Sequence, residues 1–293
     1  MGAQPIEIPR GASEPAHYYH ADAYVLEADI QQPINNKVPQ QGRVTLPEDG
    51  TYQFQEVPPF KLKGVLSYSY GYTQVAGHRS PKGHGFTTLA TSVVENLNVL
   101  DVVTADRVVG QISTEHPDNN EEVPSVTFLG TRFVNLRIGG HKVEIDHDIH
   151  ILGPKPKKDV SYFEDSGSLF RMCRQFAHIR GMRDLPDWAA EEFTRNEDKT
   201  RSDNKGELSL VNNVTGAPGL IFGHVIDVPH FGKVYLGELT VDRKPAQRGS
   251  YDKDQYAFHL KMIRLDMGCI GTGSTTVSAL DANGTGSGSG PHK

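Results

Sequence analysis

The chain has 293 residues, a length that suits one large β-rich domain or two modest ones and can bury a core without disulfide or metal staples. Lys and Arg number 30 against 36 Asp and Glu, a formal charge of −6, which argues against a nucleic-acid or anionic-membrane surface as the main partner. No run approaches the roughly 18 apolar residues of a membrane span. Gly (30) and Pro (18) make about one residue in six a turn former, as many short strands require.

Residues 1–20 lack the basic and apolar regions of a secretory signal and read as an extended N-terminal segment. With Met1 as the native start the protein stays in the cytoplasm; as a mature chain it belongs outside the cell or on its surface. The cluster His17-Tyr18-Tyr19-His20 is aromatic and poorly patterned, which suits docking better than ligation.

Alternation with a period of two then dominates. Ala23, Val25 and Glu27 open a first strand, and Arg43-Val44-Thr45-Leu46 runs into a turn at Pro47-Glu48-Asp49-Gly50. Leu66, Tyr68, Tyr70 and Tyr72 fall on one face of another strand, opposite Ser67, Ser69, Gly71 and Thr73. That tyrosine stripe, continued by Tyr52 and Phe54 on a neighbour, is either the core face of a sandwich or a stacking platform for sugar rings. The loop between His78 and His84 could hold an anion, but without a following helix it is no phosphate cradle. From Thr87 to Ser113, dense β-branched residues make one long bent strand or two strands meeting near Thr104-Ala105-Asp106. Val126 and Phe128, then Phe133–Ile138, then Val143 and Ile145 give two or three more, with Gly139-Gly140 as a hairpin turn.

Asp146, Asp148 and His150, with His141 across the hairpin, form the sharpest ligand set. On a continuous strand the first three project to one face about 6–7 Å apart. Carboxylate with imidazole suits Zn²⁺, Mn²⁺ or Fe²⁺ once a second strand completes the site; the competing reading is a solvent face at a strand end.

Between Ser166 and Gly181 the period changes. Leu169, Met172, Cys173, Phe176 and Arg180 recur at three- and four-residue spacing, a helix with Ser166 or Ser168 as N-cap and Gly181 as C-cap. A short second helix starts at Pro186 and carries Trp188, Ala189, Glu192 and Phe193, and the charged run Asn196–Gly206 reads as an exposed loop. The helices thus occupy about 166–195 of an insertion spanning 160–206. Cys173 falls on the apolar helix face, which favours burial over reactivity, and pairing with Cys269, the other cysteine, is open. Lys233–Val241 and Gln255–Met267 return to strand. In the second, Phe258, Leu260 and Met262 share a face and Ile263, Leu265 and Met267 take over one residue out of phase, as at a β-bulge. Residues 283–293 read as a flexible Gly/Ser tail.

The fold expected is mainly β, a two-sheet antiparallel β-sandwich over residues 21–282 with one helical insertion; a closed barrel is the alternative. The runs Val93–Thr114 and Thr127–Asp146 resemble the β-rich region of bacterial choice-of-anchor surface proteins, whose VVTADxV and FVNLRVxGxxV strands match Val102–Val108 and Phe133–Val143. The resemblance implies an all-β, cell-surface or secreted protein and carries over no functional residue.

No GxSxG, HExxH, Walker or GxGxxG pattern occurs. Three functions fit. The favoured one is a non-catalytic protein of interaction or assembly, its partner a second copy or another protein, since edge strands and turn-rich composition need no catalytic group. The second is a divalent-metal enzyme centred on Asp146, Asp148, His150 and His141. The third is a carbohydrate-binding module using Tyr68, Tyr70 and Tyr72.

Overall fold

The computed structural model describes residues 17–80, 85–117, 123–157, 160–244, 255–268 and 271–283. The first half of the chain is all strand: β1 (Ala21–Gln32), β2 (Asn36–Gln41), β3 (Val44–Thr45), β4 (Thr51–Val57), β5 (Phe60–Leu62), β6 (Leu66–Tyr68), β7 (Tyr70–Arg79), β8 (Phe86–Val99) and β9 (Val103–His116). Short strands follow: β10 (Ser125–Thr127), β11 (Arg132–Val134), β12 (Arg137–Ile138), β13 (His141–Lys142) and β14 (Glu144–His147). After helices α1 (Ser166–Arg180) and α2 (Asp187–Ser202) come β15 (Lys205–Ser209), β16 (Val211–Thr215), β17 (Leu220–Phe222), β18 (Val225–Val228), β19 (Gly232–Lys244), β20 (Gln255–Gly268) and β21 (Thr272–Asn283). Among the described residues no helix is long and apolar enough to cross a membrane.

Two large antiparallel sheets make the expected sandwich, and neither closes into a barrel. One runs β17-β18-β19-β20-β21-β1-β2, with β15 beside β19 and β3 beside β1. The other centres on β7, β8 and β9, with β4 on β7, β6 on β8 and β5 on β6, β10 to β12 along β9, and β13 on β12. Strands β14 and β16 pair separately. Between the sheets, a Cβ at Gly71 would lie 2.9 Å from Val25, and one at Gly110 would lie 2.7 Å from Leu280. Glycine at both positions is what lets β1 and β21 approach the other layer this closely.

Strands β8 and β9 are separate. They meet at Leu100-Asp101, both with positive φ (52° and 54°), ahead of the expected junction. Neither residue is glycine, so composition concealed the turn. Asn98 compensates by donating to the Asp101 carboxylate (2.6 Å) and accepting from its N–H (2.9 Å).

The phase change in β20 has a different cause from the bulge expected. Pairs on either side, Leu236↔Ile263 and Glu238↔Lys261, keep one register, as do Lys261↔Ala279 with Ile263↔Val277 and Tyr24↔Ala279 with Leu26↔Val277. No residue is inserted; the ladder skips one level across four strands, at Gly237, Met262, Ser278 and Val25. Gly237 and Ser278 take left-handed backbone there (φ 64° and 53°). Ser278 Oγ donates to Ser92 O in the facing sheet (3.1 Å), and Ser92 Oγ donates to Tyr24 O (2.9 Å), which pins this crease across the sandwich. A matching crease crosses the other sheet at Ser69, Asn96, Asp106 and Asn135. There Asn96 donates to Ser69 Oγ (2.7 Å) and Asn135 to the Asp106 carboxylate (2.6 Å).

The N-cap of α1 is Asp165, whose carboxylate accepts from Ser168 N–H (2.7 Å), in place of either serine; Gly181 ends the helix as expected. Gln175, buried, locks α1 to the strands below by donating to Ser209 O and Val211 O and accepting from Ser209 N–H. Helix α2 continues to Ser202 through the run expected as loop. Four of those seven residues (Asn196, Asp198, Thr200 and Ser202) are poor helix formers, and the charges of the other three hold the helix: Glu197, buried, holds Arg201 one turn on and Arg180 of α1, and Lys199 reaches Glu207 of β15.

Candidate functional site

The crease near Ser69 decides the fate of the tyrosine stripe. Tyr68 is buried (3% exposed), but beyond Ser69 the inward positions are Gly71, Thr73 and Val75, so Tyr70 and Tyr72 lie outside the core. The three tyrosines therefore do not share a face. What forms is a strip without Tyr68. Strand β4 pairs with β7 in the register Phe54↔Gln74 and Glu56↔Tyr72, which brings Tyr52 and Phe54 beside Tyr72 and Tyr70. Successive ring centroids lie 6.5 Å (Tyr52–Phe54), 5.7 Å (Phe54–Tyr72) and 6.2 Å (Tyr72–Tyr70) apart, with tilts of 6°, 38° and 50°. Tyr70 Oη donates to Glu56 (3.1 Å) at one end. Tyr52 is 58% and Phe54 44% exposed. All of β4 but Val57 is exposed, on both faces.

The expected ligand set does not converge. Strand β14 stops at His147, where a register shift against β16 breaks the ladder, and Asp148 folds back to accept from His150 N–H (2.9 Å). Asp146, Asp148 and His150 consequently leave the single strand face on which the set depended, and His141 is exposed on β13. Among the described residues no three His, Cys, Asp or Glu side chains are grouped to hold a metal ion. His147 packs against Phe133 instead, with Nε2 buried and unpartnered, and burial lowers its pKa. At the N-terminal segment His17 stacks on Phe86 (4.2 Å) and Tyr19 is buried. Cys173 is a buried thiol whose pKa burial raises, while Cys269 and residues 81–84 of the His78–His84 loop lie outside the described residues.

A second site had no counterpart in the sequence reading. The outer face of β15, β19 and β20 is polar, and α2 stands over it, enclosing a pocket of about 510 Å³. Along a regular strand His259, Lys261, Ile263 and Leu265 would share a face. The crease at Met262 shifts the phase, so His259, Lys261, Arg264 and Asp266 line the pocket together, with Tyr235, Glu238 and Thr240 of β19. Glu192, Arg195 and Asn196 of α2 form its wall. Arg264 grips Glu238 with two bonds (2.8 and 2.9 Å), pairs with Asp266, and lies 3.5 Å over the Tyr235 ring. His259 sits between Asp281 and Asp242, and its hydrogen bond to Asp281 is the main reason its pKa rises. His224 is 6% exposed, with Nδ1 buried and unpartnered; desolvation lowers its pKa to about 4, so the ring is neutral at pH 7. Burial also raises the pKa of Glu192.

Residues 17–242 match the family model of a domain of unknown function, DUF8256. The chain belongs to this family. The DUF8256 match takes in the ring strip, both helices and most of β19, and the pocket residues of β20 lie past its end. No curated protein and no solved structure matches the chain.

Proposed function

We propose that this DUF8256 protein is a non-catalytic β-sandwich that works by association, with a second copy of the chain docking along β4 and its ring strip. The observation that carries the reading is an edge strand paired on one side to β7, exposed along both faces, and bearing two of the five exposed large apolar side chains among the described residues. Natural edge strands are blunted by Lys, Pro or bulges, because unpaired N–H and C=O groups template a further strand. From Thr51 to Val57 there is no Lys and no Pro, and the only charge is Glu56 near one end. Antiparallel pairing of β4 with its own copy about a two-fold axis puts the two Glu56 at opposite ends, so like charges stay apart while the rings of both copies continue one strip.

Tilts of 38° and 50° between successive rings favour a protein partner over a sugar, which stacks best on a flat platform. Sedimentation velocity tests the reading. The native chain sediments as a dimer at micromolar concentration and Phe54→Lys as a monomer with an unchanged far-UV spectrum. A native chain that stays monomeric throughout overturns the reading.

A further inference from the structure

The segment leading into β1 lies as a short strap over one end of the sandwich, and an imidazole ties it down. Tyr19 N–H donates to Glu48 O (3.0 Å), and the buried Tyr19 ring covers Gly50 and Gly77, where a Cβ would lie 2.9 and 2.6 Å from it. Gly77 pairs with Thr51 in the last rung of the β4–β7 ladder, so the seat is the end of that ladder. From Ala21 onward the chain is fixed in β1 by β21 and β3, which sets the hinge at about His20.

His17 holds the outer end of the strap. Its ring stacks on Phe86 of β8 (4.2 Å, 5°), meets Tyr19 edge-on (4.6 Å) and lies 5.4 Å from the buried ring of His116. Both ring nitrogens are closed to solvent and unpartnered. Phenylalanine would make the same stack with no polar atom to desolvate, so what histidine adds is the capacity to take a proton. Protonation gives this ring two N–H donors without an acceptor, next to Arg79, whose guanidinium already stands over the Phe86 ring (5.5 Å). Among the described residues, the titratable groups around His17 are Tyr18 and Tyr19 on the strap, Glu48 and Asp49 before β4, His78 and Arg79 on β7, and His116 on β9; His20 pairs with Asp22 (3.5 Å). Glu48 and Asp49 favour the charged ring, but both are exposed to water and neither bonds to it. Desolvation therefore prevails and lowers the His17 pKa to about 4.

We infer that residues 17–20 form an acid-opened latch: a proton taken up by His17 breaks its stack on Phe86, the strap swings out about His20, and the seat at Gly50, Gly77 and Phe86 is uncovered. The latch needs one copy of the chain and is independent of the proposed dimer.

Hydrogen exchange at the Tyr19 amide of the full chain, read by NMR as protection relative to the unstructured rate at each pH, tests it. That N–H is bonded to Glu48 only while the latch is closed. A released His17 titrates near its ordinary 6.5 and a docked one near 4, so closure is complete above pH 6.5 and weakens as pH falls toward 4. Protection at Tyr19 falls roughly tenfold or more between pH 7.5 and pH 5 in the native chain. In His17→Phe, which keeps the stack and cannot be charged, it stays constant over the same interval. The monomeric Phe54→Lys chain repeats the native fall. A Tyr19 amide unprotected at pH 7.5, native protection that does not change with pH, or a fall in His17→Phe equal to the native one overturns the inference.

Discussion

The ring strip on β4 and the pocket beneath α2 solve opposite problems on one scaffold. On the strip, apolar rings meet solvent, and the backbone of an edge strand is left unpaired on its outer side. In the pocket, charged groups are drawn partly out of water and bonded to one another, with Arg264 the hub. The strip therefore contributes little to folding and is free to be spent on association, whereas the pocket residues are bound up with stability. Mutations should separate the two.

The largest effect is expected at the hub. Arg264→Met strands the carboxylates of Glu238 and Asp266 and should cost about 3 kcal/mol in urea unfolding, discounted from the fully buried case because the side chains are partly exposed. Acid comes next. His224 has its folded pKa depressed to about 4 from an ordinary 6.5, so the unfolded chain binds the proton more readily. Its contribution is complete above pH 6.5 and is lost as pH falls toward 4, on the order of 3 kcal/mol in all. His224→Gln should flatten that part of the stability–pH curve. His259 has the opposite sign. Its folded pKa is raised, so the stability it adds is full below its ordinary pKa and is lost as pH rises through the raised one. His259→Gln should therefore be more destabilising at pH 5 than at pH 9. At the crease that aligns the pocket, Gly237→Ala puts a Cβ at φ 64° and 3.2 Å from Val211, a cost of about 1–2 kcal/mol. Phe54→Lys is the smallest, within about 0.5 kcal/mol in the monomer, since the ring is solvent-facing. A stability loss at Phe54 rivalling that at Arg264 would break the contrast.

Periodicity made most of the sandwich legible: β1, β7, β19 and β20 and the helix ending at Gly181 all follow from spacing. Pattern reading failed where the backbone leaves its period without a glycine or an inserted residue to mark it. The turn at Leu100-Asp101 and the crease at Ser69 are such places; at Met262 the phase change was legible in β20 and only its cause, a skipped level rather than an inserted residue, was not. At Ser69 the crease turned an expected three-tyrosine face into one core ring and two surface rings. At Met262 the phase change puts Arg264 and Asp266 on the face of Lys261, and what a one-dimensional string hides is that β15, β19 and α2 surround that face. The length of α2 was hidden for another reason. Its last two turns are held by pairs with residues distant in sequence, Arg180 and Glu207, so a run without apolar residues resembled a loop.

Association through β4 is tested most directly by hydrogen exchange across residues 51–57 at two protein concentrations. Pairing of β4 with a second copy predicts that the amides facing away from β7 gain protection as concentration rises, while those of β20 stay unchanged. Exchange in β4 that is fast and independent of concentration would contradict it.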